Sequence, residues 1–500
     1  MRLLQACRPH SRPLFRRSPV ATVSLVVSIL ISIITATFQL TALSPTHRTP
    51  PYLQTVPADA ARYGLSQIVN HLLSLDQVVP FEFLVNDEIL CTSLGSHISS
   101  RAISTEGVLE MEYFPAVLPP TPKDAFVHDD WISCVTVVRS STISKQSSPP
   151  STSRPPDKGW SLASGCYAGL VKFWNSAGEV DRQYVAHDYP IKSCSAVNEM
   201  QLITTADDGS VHVWDVADGS DDGNHADGTR LVARLSGHRS SVESSCVRPD
   251  GERCATSGWD KNVLVWKSGE SLISEADNFI VAEPKMKRKK RAKSSEPSLE
   301  EKVSNAPHIQ SLGTLDGHAQ AVSGLKWVSQ EHLVSSSWDH TVKLWDVEME
   351  TALDTFTHNK VIYCLDTPNA PNANTNANLI AFGGAEKGLR LWDRRDHQKQ
   401  GTFTRALQTF QSHTSWISDV KWHPSSEHTI LTASFDGSIK LWDVRSAIPL
   451  WTVDVDDEAD KGGKAGKEDG HKLFCCTWVD DKTVAAGGDN RTIAVFTHQP

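Results

Sequence analysis

The chain has 500 residues, 22% of them charged and 39% hydrophobic, which suits a globular protein of two or more domains. Its formal net charge of −10 argues against nonspecific binding of nucleic acid by the whole surface. The 10 cysteines are scattered, with no Cys-x-x-Cys pair and no His/Cys metal spacing, and the neighbours Cys475 and Cys476 are poorly placed to bridge. This fits a reduced, intracellular compartment and a protein with no metal of its own.

Residues 1–49 stand apart. Arg2, Arg8, Arg12, Arg16 and Arg17 precede an apolar run over 20–43, long enough to span a bilayer but diluted by Thr, Ser and Gln39. Two readings follow: a membrane-spanning or targeting segment, which would make the protein a membrane-tethered scaffold, or upstream sequence translated from a misplaced start. The second is preferred, because everything downstream reads as intracellular and reduced.

Residues 50–115 form a small unit. In Tyr63-Gly64-Leu65-Ser66 and the residues after it, Ile68, Val69, Leu72 and Leu73 recur at helical spacing, with Ser66 as the N-cap. Residues 81–85 read as a strand, Asn86-Asp87 as a turn and 88–91 as a second strand, together a hairpin. Residues 107–113 are a final strand. A helix on a mixed sheet of this size suggests a ubiquitin-like β-grasp.

From about residue 122 to the end, one pattern repeats. Its clearest copy runs over 312–347, where Gly317-His318 opens and Trp345-Asp346 closes three short runs of alternating apolar and polar residues. Alternation marks half-buried strands, and so small a sheet must stack on copies of itself. The copies are His187…Trp214-Asp215, His238…Trp266, His413…Trp442-Asp443, His358…Trp392-Asp393, His128…Trp174-Asn175 and a worn His471…Phe496, making seven. Insertions stretch the pattern at 140–157, 268–310, 368–378 and 454–470. The last copy stops at its third strand, so the residues just before His128 (124–127) are expected to supply its fourth and close the ring.

Four polar residues recur in matched places: His187, Thr204, Asp208 and Trp214; His238, Thr256, Asp260 and Trp266; His318, Ser335, Asp339 and Trp345; His413, Thr432, Asp436 and Trp442. A His/Asp/Ser set invites a hydrolase reading. One protein does not carry four identical triads at one period, so these are structural sets: Asp holds a His tautomer, His meets a hydroxyl, and the indole N–H finds an acceptor. Ala168, Glu386 and Asn490 replace the Asp in the first, fifth and seventh copies, which should be less rigid. No phosphate loop, metal cluster or lone nucleophile supports an enzyme.

The repeat resembles the WD-repeat family over about three quarters of the chain, which implies a mainly β protein with a seven-bladed propeller. RYGLSQIVNHLL, VPFEFLVNDEIL, LEMEY, AVLPP and HDDWISCV sharpen the likeness. The chain is similar to the WD-repeat subunits of the PeBoW ribosome-biogenesis complex, which carry a Notchless-type ubiquitin-like domain. That family begins with a β-hairpin before RYGL, which residues 1–49 are not expected to supply; residues 52–56 read as the remnant of its second strand.

The resemblance implies a non-enzymatic assembly factor of the large ribosomal subunit, needed for maturation of 27S pre-rRNA to 25S/28S and 5.8S, in the nucleus, nucleolus and nucleoplasm. It implies as partners the Block of Proliferation WD-repeat protein, Pescadillo, the pre-60S particle and midasin, an AAA ATPase that removes the factor. Glu106 matches the loop carboxylate that completes coordination of a Mg²⁺ held by midasin; the hard ion wants oxygen ligands. Within 268–310, the run Lys285, Lys287, Arg288, Lys289, Lys290, Arg291 and Lys293 reads as a nuclear import signal, with direct RNA contact as a second use. No aromatic residues are interleaved to stack on bases. The runner-up function is a substrate receptor of a cullin-type ubiquitin ligase, from Arg395 and Arg445, each two places after the Asp of a Trp-Asp pair.

Overall fold

The computed structural model describes residues 35–42, 54–74, 77–139, 161–216, 229–282, 306–368, 378–394, 408–455 and 471–498, with short gaps at 58, 75–76, 87, 102, 104–108 and 447. Its described residues divide into two compact units, one within residues 1–117 and the other within residues 118–500.

The first unit is built from β1 (Thr35–Ala42), β2 (Gln54–Pro57), α1 (Arg62–Leu73), β3 (Phe81–Val85), β4 (Glu88–Ile89), α2 (Leu94–Ser100) and β5 (Leu109–Pro115). Its sheet order is β2-β1-β5-β3-β4. β1 and β5, the first and last strands, lie parallel at its centre, with Phe38 opposite Leu109 and Ala42 opposite Tyr113, while every other pair is antiparallel. This is a β-grasp. Leu65 and Val69 of α1 pack on Val56, Phe81, Phe83, Met111 and Tyr113, all buried. The Phe81 ring meets Tyr113 edge-on at 5.5 Å.

Two expectations are corrected here. The small domain does not lack its first hairpin: β1 pairs antiparallel with β2, from Thr35 opposite Pro57 to Phe38 opposite Gln54. The domain therefore includes residues 35–42, inside the apolar run and ahead of residue 50, and part of the supposed membrane segment is sheet. Residues 1–34 lie outside the described residues, and no described helix is long and apolar enough to cross a membrane. Second, Ser66 is not a cap. The helix starts at Arg62 after an extended Ala61 with no side-chain cap. Ser66 is buried in it, its hydroxyl donating to the Val79 carbonyl at 3.2 Å and accepting from the Phe81 N–H at 3.1 Å. Asn70, one turn on, donates to the Val79 carbonyl at 2.6 Å and accepts its N–H at 2.8 Å. The two side chains tie the helix to the chain entering β3 and satisfy backbone groups that would otherwise be buried unpaired.

The second unit holds seven sheets of an antiparallel meander. The first strand of each touches the first strand of the next, and the seventh touches the first, so the ring closes around a centre. β6 (Thr121–Val127) supplies the fourth strand of the seventh sheet, running from Thr121 opposite Thr497 to Val127 opposite Thr492. This joins the two ends of the ring and removes the open edges. Hydrogen bonds from side chains stitch neighbouring innermost strands: Asp366 accepts the Trp422 N–H at 2.6 Å, Asp419 accepts the Cys476 N–H at 3.0 Å, and Ser323 donates to the Ile362 carbonyl at 2.8 Å.

Insertion 268–310 contributes to the fold at both of its described ends. It opens with α3 (Gly269–Ala282), whose Leu272 is buried in the core between the second and third sheets. It returns through His308–Ile309, which pairs in parallel with Arg230–Leu235 and gives the second sheet a fifth strand.

Candidate functional site

The four recurring sets assemble into buried hydrogen-bond chains. In the sixth sheet the Trp442 indole N–H donates to Thr432 Oγ1 at 2.9 Å, Thr432 meets His413 Nε2 at 2.8 Å, and His413 Nδ1 meets Asp436 Oδ2 at 2.9 Å. The ionised carboxylate can only accept, so Nδ1–H points at it; the neutral ring then accepts at Nε2 from the Thr hydroxyl, which itself accepts the indole N–H. The same Asp oxygen accepts the Thr414 N–H at 2.9 Å, holding the loop that carries the His. Burial works to raise the Asp436 carboxyl, but the hydrogen bonds from His413, the Ser438 hydroxyl and the Thr414 N–H outweigh it and hold it below the usual carboxylate range. Burial lowers His413, so a neutral imidazole donates to a carboxylate. The third sheet repeats the chain, with Trp266 on Thr256 at 2.8 Å, Thr256 on His238 at 2.8 Å and His238 on Asp260 at 2.8 Å. So does the fourth, with Trp345 on Ser335 at 2.7 Å, Ser335 on His318 at 2.7 Å and His318 on Asp339 at 2.9 Å.

The second sheet departs. Trp214 reaches Thr204 at 3.0 Å and Thr204 reaches His187 at 2.8 Å, but His187 Nδ1 meets Ser210 Oγ at 2.7 Å, not Asp208. Asp208 is exposed and takes the Ser210 hydroxyl at 2.6 Å. The His187 ring stacks on His212 at 4.2 Å, where the matching residues of the third and sixth sheets are Leu264 and Lys440. The expected direct His–Asp contact is thus replaced by a relay through a serine.

The incomplete sheets differ again. In the first, Trp174 donates to Ser164 at 2.8 Å, but His128 Nε2 is buried without a partner and no Asp holds the ring. In the fifth, Phe382 fills the hydroxyl's place, and His358 Nε2 turns to Glu386 at 3.2 Å. The His, hydroxyl and Trp side chains of the four full sets are buried within their sheets, and the repeated chain does structural work. Among the described residues no group of three or more His, Cys, Asp or Glu could hold a metal ion.

Sequence reasoning missed an arc of aromatic side chains at one end of the ring, where each innermost strand starts and each second strand stops. Trp259 and Trp338 lie 5.0 Å apart, Tyr363 and Trp416 5.8 Å, Phe435 and Phe474 5.7 Å, and Trp131 and Tyr167 5.6 Å. Further contacts at 6.0–6.3 Å join these pairs end to end across six sheets. The gap between Tyr167 and Trp259 is bridged by charge. Lys192 lies over the Tyr167 ring at 6.0 Å and pairs with Asp207 at 3.4 Å and Glu243 at 3.5 Å, and Glu243 accepts the Trp259 indole N–H at 2.7 Å. The repeated aromatic just before or after a strand end was the signal available in the sequence.

Glu106 and the basic run from Lys285 to Lys293 lie outside the described residues. Glu106 precedes β5, a central strand of the β-grasp, and the basic run follows α3. Arg395 is also outside. Arg445 makes a two-pronged bond to its own Asp443, Nε to Oδ1 at 2.9 Å and Nη2 to Oδ2 at 2.7 Å.

The NLE (NUC135) domain matches residues 40–98, and the WD domain, G-beta repeat, matches 178–215, 229–267, 309–346 and 404–443. Those four repeats are the ones with a complete polar set. A protein of Chlamydomonas reinhardtii named ribosome biogenesis protein WDR12 homolog is 36% identical over 85% of this chain and 91% of its own length. The WDR12 homolog of Oryza sativa subsp. japonica is 34% identical over 91% of this chain and 94% of its own. The ribosome biogenesis protein YTM1 of Debaryomyces hansenii is 30% identical over 88% and 92%. With a β-grasp, a ring of seven WD-type sheets and relatives matched over nearly their whole length, this chain belongs to the WDR12/YTM1 family of ribosome biogenesis proteins, a family of non-catalytic scaffolds.

Proposed function

We propose that this protein is the WD-repeat subunit of the PeBoW complex, which assembles on the pre-60S particle with the Block of Proliferation protein and Pescadillo. In this reading it serves the maturation of 27S pre-rRNA to 25S/28S and 5.8S in the nucleolus, and midasin later removes it in the nucleoplasm. The observation that carries the reading is the complete β-grasp, matched by the NLE domain and joined to a WD-repeat ring. Glu106, three residues before β5 in the sequence, supplies in this reading the carboxylate that fills the open position of a Mg²⁺ held by midasin. The protein itself holds no cofactor. The basic run from Lys285 to Lys293 serves nuclear import, and any RNA contact is a secondary use of it. The ligase-receptor reading gains nothing, because Arg445 is already committed to Asp443 within its own repeat.

The test is a pull-down of the full chain with the metal-site domain of midasin, with Mg²⁺, with chelator, and with Glu106→Ala. Binding lost in both controls supports the reading. Binding indifferent to Glu106 removes the site assignment, and no binding of the wild type removes midasin as the partner.

A further inference from the structure

We infer that β6 is a force-loaded latch: when the small unit is pulled, this strand leaves first and the ring opens between its first and seventh sheets. The inference rests on the proposed removal by midasin for its source of tension, while the latch itself is a property of the ring.

Chain order sets β6 apart from the fourth strands of the other six sheets. Each of those follows the third strand of its own sheet and runs on to the next sheet, so the chain holds it at both ends. β6 is tied to the ring only beyond Val127. Its other end follows β5 after residues 116–120, so tension on the small unit reaches Thr121 along the backbone.

The grip of β6 on its neighbour is weakest at the loaded end. Pro122 has no N–H to give, and the register shifts between Val495 and Phe496, with a bulge at Lys123. Thr121 reaches the Thr497 carbonyl at 3.3 Å through an exposed hydroxyl. Of the strand's side chains only Phe126, next to the far end, is buried. Its ring stacks on Trp174 of the first sheet at 5.4 Å and lies so close to Gly178 that a Cβ there would meet it at 2.5 Å. A pull directed away from the ring's axis therefore loads the pairs one after another from Thr121, and Phe126 is the pin that holds last.

The seam behind the latch lacks the stitching found elsewhere. Side-chain hydrogen bonds join the innermost strands of the second and third, fourth and fifth, fifth and sixth, and sixth and seventh sheets. Among the described residues no such bond joins the innermost strand of the first sheet, Ile132–Arg139, to that of the seventh, Leu473–Trp478. Ile132, Val135 and Cys475 meet there by apolar contact. Opening at this seam parts Trp131 from Phe474 and breaks any surface that spans the two sheets. The factor then leaves by losing its shape and not by sliding off whole.

The test pulls the full chain in optical tweezers, through DNA handles on azidophenylalanine placed at Val117, just ahead of the latch, and at Met349, exposed on the fourth sheet. No midasin is present, so the outcome is separate from that of the pull-down. The first step should gain no more than about 50 Å of contour, the reach of residues 118–131. A disulfide formed by Ala125→Cys with Ala494→Cys, which lie opposite each other, should raise the force of that step about twofold or more, and dithiothreitol should restore it. In unpulled protein, Phe126→Ala should speed alkylation of the buried Cys475 by N-ethylmaleimide about tenfold or more and leave Cys254, in the core between the second and third sheets, unchanged. A larger first step, a force indifferent to the disulfide, or alkylation of Cys475 that Phe126→Ala leaves unchanged or raises no more than that of Cys254 would each overturn the inference.

Discussion

The second and sixth sheets carry His, Thr, Asp and Trp at the same places, yet the sixth joins His to Asp directly and the second passes through a serine. In the sixth, Asp436 closes on His413 at 2.9 Å and also ties down the next backbone N–H. In the second, His212 stacks against His187, the carboxylate stays outside, and Ser210 fills the gap. A repeated motif therefore fixes which groups must be satisfied, while the residue packed beside the ring decides which partner satisfies them.

The largest separation between the two sheets should come from deleting the carboxylates. Asp436→Ala strands a buried imidazole N–H and should cost about 3 kcal/mol in urea or guanidinium unfolding. Asp208→Ala leaves the His187–Ser210 bond intact and should cost about 1 kcal/mol or less. Equal losses would mean that the serine relay is as dependent on its carboxylate as the direct contact.

The next test uses pH. Burial lowers His187 well below its usual value and His212 from 6.5 to about 4, and it lowers His413 as well. Below pH 6.5 the unfolded chain takes up protons that these buried rings refuse, so stability falls as pH drops from 6.5 toward 4. His212→Leu, the residue found at that place in the third sheet, should remove on the order of 2 kcal/mol of this pH-dependent loss. An unchanged slope of unfolding midpoint against pH would show that the stacked pair is not its source.

The smallest effect concerns the turn after each Asp. The second and sixth sheets place Gly209 and Gly437 there with φ of +86° and +77°, whereas the fourth places His340 at +70°. A left-handed conformation costs a side chain more than it costs glycine. His340→Gly should stabilise the fourth sheet by about 1 kcal/mol or less, read as a raised melting temperature, while a loss would reveal that the imidazole contributes contacts that outweigh the strain.

The ring was legible in the sequence because four of the seven copies carry His, a hydroxyl, Asp and Trp at near-fixed spacing, and because period-two alternation marks the strands of the clearest copies. Its closure by residues 121–127 followed from the missing last strand. The first hairpin of the β-grasp was misread for a local reason. In TATFQLTA the polar Thr35, Thr37, Gln39 and Thr41 alternate with Ala36, Phe38, Leu40 and Ala42. That is a strand pattern, but it sits at the end of an apolar run whose polar residues looked like dilution. Ser66 looked like a cap because serine often is one; its buried bonds to Val79 and Phe81 depend on where the chain returns. The serine relay of the second sheet and the aromatic arc were hidden because they depend on contacts across the fold. Trp131 and Phe474 belong to the first and seventh sheets and meet only when the ring closes.

The most direct test of the assembly-factor account is the distribution of the tagged chain across a sucrose gradient of nuclear extract, with wild-type protein and with Glu106→Ala. The account predicts that Glu106→Ala joins the pre-60S particles normally and then accumulates on them, depleting the free pool, because midasin cannot grip the small unit. A Glu106→Ala profile that matches the wild type, with the same share free and bound, would contradict it.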